Sequence, residues 1–233
     1  MIRVEAMSTL ILGATGLCGR AFLKHCEKSP EFGEICTITR RPLPFESFAT
    51  QKVDEDTTKW ASYIPNEHLE YVFTGLATTR GAAGGFDQQY KIDHDLNVEL
   101  AKVAKENGCS TFVLVSSSGA SEKSLFPYLR MKKDIERDII ALDFDHTIIL
   151  RPGVLLGQRL GSKGWLTDWS AKIASFLYRG KLQMLAGYPV YGDEVGKVGA
   201  FLALKESAPG HSGQKVRIVE SHEILQLADS ISK

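Results

Sequence analysis

The chain has 233 residues, 43% of them hydrophobic and 24% charged, with Lys plus Arg equal to Asp plus Glu at 28 each. That profile fits an ordinary globular chain with a sizeable core, and the balanced charge leaves no net field to draw it to nucleic acid or to an anionic membrane. Cys18, Cys26, Cys36 and Cys109 form no CxxC pair and no Cys/His ligand spacing, which argues against a metal site and a disulfide framework and fits a reducing compartment.

The opening segment MIRVEAMSTLILG carries an apolar run of only about six residues, shorter than a signal h-region of roughly 7–15 or a membrane span of about 20. It also lacks the Arg-rich amphipathic character of a matrix transit peptide. Since no other run reaches spanning length, membrane contact is expected to be peripheral.

In chain order, runs rich in Val, Ile, Leu and Thr predict strands at Ser8–Leu12, Ile35–Thr39, Tyr71–Leu76, Thr111–Val115, Thr147–Leu150 and Val216–Val219. They show little polar alternation, as expected where helices cover both faces of a parallel sheet. Helical periodicity falls between them over Gly16–Lys28, Asp87–Asn107, Tyr128–Leu142, Leu166–Tyr178, Glu194–Lys205 and His222–Ser232. The stretch Pro42–Pro65 has poor periodicity and is read as holding a short third strand near Thr50–Val53. This βαβ alternation predicts an α/β fold with a right-handed, doubly wound parallel sheet. Without repeats or a convincing linker, residues 1–233 are read as one domain, with a cofactor-binding core over 7–155 and a smaller C-terminal substrate or lid region over 156–233.

Gly13-Ala-Thr15-Gly16-Leu17-Cys18-Gly19 places three glycines on the turn from the first strand into the first helix. A tight turn and close approach of backbone N–H groups to a pyrophosphate exclude side chains, and the helix N-terminus then faces the negative charge. Gly13, Thr15, Gly16, Leu17, Cys18 and Gly19 are therefore candidate cofactor contacts. NAD enzymes place an acidic residue at the end of the second strand for the adenosine ribose, whereas this chain has Thr39-Arg40-Arg41 there. A guanidinium pairs with a 2′-phosphate through parallel charged hydrogen bonds, so Arg40 and Arg41 favour NADP(H).

Val113-Leu-Val-Ser116-Ser117-Ser118 ends a strand in three hydroxyls, and Tyr128 and Lys132 follow four residues apart on one helical face. A phenol with a reference pKa of about 10 is a poor acid or base at neutral pH, and a nearby ammonium stabilises its phenolate. In this reading a serine hydroxyl binds a substrate carbonyl, Tyr128 moves the proton, and Lys132 also reaches the nicotinamide ribose. Ser117 is the preferred serine, with Ser118 second and Ser116 third.

Two further features have bland readings. His94, between Asp93 and Asp95, is read as part of a polar helix face, because its neighbours point in different directions. Trp165, Trp169, Ile173 and Phe176 stand at helical spacing, with core packing as the default. The alternatives are a substrate lid, a subunit contact, or a membrane face edged by Lys172, Arg179 and Lys181.

The glycine loop, Leu76-Ala-Thr-Thr-Arg-Gly81, the run from Asp87 to Asn97, Ile149-Leu-Arg-Pro-Gly-Val154 and the run from Gly187 to Val198 together resemble the short-chain dehydrogenase/reductase superfamily. More narrowly they resemble its atypical branch, which includes the human Tat-interacting protein and the fungal mitochondrial FMP proteins. The resemblance covers nearly the whole chain. It implies that Leu76, Ala77 and Thr78 line the cofactor groove, that Pro152, Gly153 and Val154 approach the nicotinamide end, and that Ser117, Tyr128 and Lys132 carry the chemistry. It also implies peripheral association with the mitochondrial outer membrane, with a cytoplasmic location as the alternative. The short C-terminal part speaks against a nucleotide-sugar substrate. The expected activity is NADP(H)-dependent hydride transfer on a small carbonyl or alcohol. The rival reading is a non-catalytic NADP(H)-binding regulator or scaffold. A homodimer is a further partner expectation.

Overall fold

The computed structural model describes residues 7–157, 178–180, 183–210 and 213–231. The chain runs β1 (Ser8–Leu12), α1 (Leu17–Cys26), β2 (Glu34–Thr39), β3 (Thr50–Val53), β4 (Leu69–Thr74), α2 (Arg80–Ala83) and α3 (Phe86–Tyr90). A π-helical turn over Lys91–Leu96 joins α3 to α4 (Asn97–Glu106). Then come β5 (Thr111–Val115), α5 (Pro127–Ala141), β6 (His146–Arg151), β7 (Leu155–Leu156), β8 (Val190–Tyr191), α6 (Gly192–Glu206), β9 (Val216–Glu220) and α7 (Ser221–Ile231).

Seven strands form one sheet in the order β3-β2-β1-β4-β5-β6-β9, every pair parallel, and β7 pairs with β8 in a small second sheet. The strand order reverses between β1 and β4, and in such sheets ligands bind at that reversal, outside the carboxyl ends of the strands. Strand alternation sorts the core onto two faces. Ile11, Phe73, Val113, Ile148 and Leu150 pack with α1, α6 and α7, while Leu10, Leu12, Val72, Phe112, Leu114 and Ile149 pack with α4 and α5. The weak periodicity before β4 has a simple cause, since all four residues of the edge strand β3 are exposed.

On the first face α6 lies unusually close to α1, because a Cβ at Gly196 would sit 2.4 Å from the Ala21 Cβ and one at Gly199 would sit 2.4 Å from the Phe22 ring. The glycine spacing in the GDEVGKVG segment is thus a helix-packing surface.

Three expectations change. The predicted strand Tyr71–Leu76 lies two residues earlier, at Leu69–Thr74, so Leu76 belongs to the loop beyond it. The single predicted helix Asp87–Asn107 is three segments, because the Asn97 amide donates to the carbonyls of Leu76, Ile92 and Asp93 and stabilises the π turn. The predicted helix Leu166–Tyr178 lies outside the described residues except for Tyr178.

Candidate active site

The crevice starts at the β1–α1 turn. Gly13 has φ +77, and a Cβ there would meet the Gly75 carbonyl carbon and the Leu76 nitrogen at 2.7 Å. Gly19 is tighter still, since its Cβ would lie 2.1 Å from the Gly13 carbonyl oxygen. Gly16, by contrast, leaves 3.3 Å to that oxygen, and its N–H donates to it at 2.8 Å. Gly13, Gly19 and Gly75 therefore let α1 close onto the ends of β1 and β4. Thr15 and Gly16 are exposed at the turn, Leu17 is half-buried, and Cys18 is buried beneath it. Gly16 at the N-cap provides no capping side chain for α1 and no acidic residue stands in its first turn, so the positive end of this helix favours an anion. These features fit the pyrophosphate of a dinucleotide.

Beside this turn β2 ends at Thr39, which is buried with its hydroxyl unpartnered. Arg40 and Arg41 follow, both exposed and in no ion pair with any described residue.

The opposite wall is the loop after β4. The Thr78 N–H donates to Asp93 Oδ1 at 2.6 Å, and the Gln89 amide donates to the Thr78 carbonyl at 3.1 Å. Asn97 holds the Leu76 carbonyl at 3.1 Å and accepts a 2.5 Å hydrogen bond from the Thr74 hydroxyl. Ala77, between these anchors, is exposed.

β5 delivers the three serines, and their surroundings differ. Ser116 is buried, and its hydroxyl donates to Glu136 Oε1 at 2.6 Å, which removes it from substrate chemistry. Ser118 is held through its backbone, whose N–H donates to the Pro152 carbonyl at 2.9 Å. The Ser117 hydroxyl is half-buried and makes a single long contact, 3.3 Å, to the Ser118 carbonyl.

Proline at the first position of α5 starts the helix that carries Tyr128 and Lys132. The phenol is 41% exposed, whereas Lys132 is 3% exposed, so the ammonium sits behind the ring, 5.9 Å from its centroid. Glu136 is one turn further on and fully buried. It receives Arg151 through two hydrogen bonds at 2.8 and 2.6 Å, and Arg151 also donates to Glu220 at 2.8 Å. These carboxylates hold the Arg151 guanidinium well above its usual range. Tyr128, Lys132 and Glu136 thus lie on one face, and Glu136 anchors that face to Ser116 just beyond β5 and to Arg151 of β6.

The floor is the turn after β6. Pro152 is buried and Val154 is exposed. Gly153 donates its N–H to the Ser221 hydroxyl at 2.8 Å, and that hydroxyl donates to the Tyr188 carbonyl at 2.6 Å. A Cβ at Gly153 would fall 1.9 Å from the Gly187 carbonyl oxygen, which explains why the Pro-Gly-Val and Gly-Tyr-Pro segments occur together. A separate cavity of about 510 Å³, lined by Leu17, Arg20, Lys24, Leu156, Gly157 and Tyr191 among others, takes no wall from Ser117, Tyr128 or Lys132.

The polar helix face read at His94 is turned inward. Asp93 and His94 are both buried, and His94 contacts Asp95 at 2.9 Å and Asp138 at 3.0 Å. The π turn rotates this stretch inward, out of the register of an unbroken helix. Asp93, Asn97, Glu136, Arg151 and Gly75 are the site residues that sequence reasoning missed. For Glu136 a signal existed, its helical spacing from Tyr128 and Lys132.

Fold and crevice together define a Rossmann-fold protein. Solved structures agree: MoeE5 in complex with UDP-glucose and NAD superposes with a TM-score of 0.65 at 16% identity, over 97% of this chain and 82% of that one. The aldohexose dehydrogenase of Thermoplasma acidophilum gives 0.67 at 14% identity, over 95% of each chain. The HIM1 family model matches residues 51–180. The mitochondrial protein FMP52 of Saccharomyces cerevisiae is 53% identical over 97% of this chain and 99% of its own, and that of Kluyveromyces lactis is 56% identical over 96% and 99%. The chain belongs to the HIM1 family, alongside the FMP52 proteins of yeasts.

Proposed function

We propose that the protein is an NADP(H)-dependent oxidoreductase that interconverts a small carbonyl compound and its alcohol, within the atypical short-chain dehydrogenase branch that also holds the human Tat-interacting protein. The observation that carries this reading is the placement of Tyr128 and Lys132. A half-exposed phenol is backed by an ammonium withdrawn from water, on the helix that follows the strand end where the Ser117 hydroxyl makes only one long hydrogen bond among the described residues.

The glycine turn and the start of α1 would hold the pyrophosphate, Leu76 to Thr78 would border the nicotinamide half, and Pro152 and Val154 would close its far end. Arg40 and Arg41 would meet the 2′-phosphate, where neutral Thr39 adds no repelling charge. When bound, the cofactor supplies or accepts hydride. Ser117 donates a hydrogen bond to the substrate oxygen. Tyr128 gives that oxygen its proton during reduction, and Lys132 stabilises the phenolate left behind.

We further propose a peripheral association with the mitochondrial outer membrane; the relatives are named mitochondrial, and no described helix is long and apolar enough to cross a membrane. The test of function is a carbonyl library scanned for NADPH oxidation, with Tyr128→Phe as control. Turnover that Tyr128→Phe abolishes, with cofactor affinity kept, supports the reading. NADPH binding without turnover on any carbonyl would instead identify a cofactor-binding regulator.

A further inference from the structure

The π turn brings a carboxylate to the amine on which the proposed chemistry depends. Asp93 is 1% exposed, and its Oδ1 accepts the Thr78 N–H at 2.6 Å. Among the described residues its Oδ2 has no hydrogen-bond partner, and it lies 3.9 Å from the Lys132 ammonium, whose side chain is 4% exposed. Among the described residues no other carboxylate forms an ion pair with Lys132. The remaining charged groups nearby are already engaged. On α5, Glu136 is held by Arg151, Lys133 and Ser116, and on the π turn His94 is held by Asp95 and Asp138. The Tyr128 ring centroid lies 5.9 Å from the same ammonium.

An ammonium this deeply buried loses its hydration, which favours the neutral amine unless an opposite charge stands close by. We propose that Asp93 is the positioning residue that keeps Lys132 charged in the dry crevice and ties it to the cofactor wall at Thr78. This rests on the oxidoreductase reading above. One carboxylate oxygen fixes the loop after β4, and the other faces the amine, so a single side chain sets the spacing between the nicotinamide wall and the helix of Tyr128. The coupling is mutual. Burial pushes the Asp93 carboxyl up, and Lys132 pulls it back down.

Asp93→Asn separates the two roles, because the amide oxygen can still accept from Thr78 while the charge is gone. Fluorescence titration of the full chain with NADPH across pH should show affinities within about twofold of each other at the acidic end of the range. At the alkaline end the variant should lose affinity about one pH unit earlier, leaving it about tenfold weaker there, and Asp93→Glu should restore the profile. Coincident profiles for Asp93→Asn and the unmodified protein would overturn the proposal. A second arm needs no cofactor: in carbon-13 titration of the Asp93 carboxyl, Lys132→Met should raise the midpoint by about one pH unit or more. An unchanged midpoint would overturn the coupling. If the unmodified protein binds neither NADPH nor NADH, the oxidoreductase reading fails, and the carboxyl titration still decides whether Asp93 and Lys132 act on each other. It decides equally if Asp93→Asn does not fold.

Discussion

At the β1–α1 turn the crevice is shaped by missing atoms, whereas at α5 it is shaped by charges that find one another across the fold. Gly13, Gly19 and Gly75 allow backbone to touch backbone, and the anion would be met by N–H groups that need no side chain. At the other end Asp93, Lys132, Glu136, Arg151 and Glu220 come from the π turn, α5, β6 and β9. A binding surface can be set by local geometry alone. A proton-transferring group also needs its electrostatic surroundings fixed, and that requires distant elements.

The two ends should break differently. The largest effect on the fold is expected at the charged end. Glu136→Ala removes a fully buried carboxylate, strands the Ser116 hydroxyl and leaves Arg151 with Glu220 alone, which should cost about 3–5 kcal/mol in urea unfolding. A loss under about 1 kcal/mol would mean that the network merely decorates the helix.

At the glycine end the loss should fall on binding as much as on stability. Gly19→Ala forces a Cβ into the Gly13 carbonyl and should cost about 1–3 kcal/mol while abolishing measurable NADPH binding. Gly16→Ala, with more room, should be the milder change in both respects. Equal effects at the two positions would contradict the close-approach account.

The smallest expected effect is confined to one cofactor. Arg40→Ala should weaken NADPH binding by about 1–3 kcal/mol, the range of a charge-assisted hydrogen bond, and leave NADH binding and stability nearly unchanged. Equal losses for both cofactors would reduce Arg40 and Arg41 to a solvated turn.

The same contrast explains what could be read from the sequence. Strands β1, β3 and β5 match their predicted bounds, because local composition and punctuation decide a buried parallel strand or a short edge strand. The glycine loop was equally legible, its spacing being a local constraint. The proximity of Tyr128 and Lys132 was legible in their separation of four, and the structure puts the amine 5.9 Å from the ring centroid. The π turn was not legible. It depends on Asn97 reaching back to carbonyls at Leu76, Ile92 and Asp93, and without it Asp93 and His94 read as an exposed polar face. Setting Ser116 apart from the other two serines likewise required Glu136, twenty residues away in sequence.

Calorimetric titration of the unmodified protein with NADPH and with NADH decides whether this crevice is an NADP(H) site. The account predicts that NADPH binds at least about ten times more tightly, a difference of about 1.4 kcal/mol, through the glycine turn and Arg40. Binding of neither nucleotide would contradict the claim that this crevice is a dinucleotide site, and equal binding of both would contradict its assignment to NADP(H).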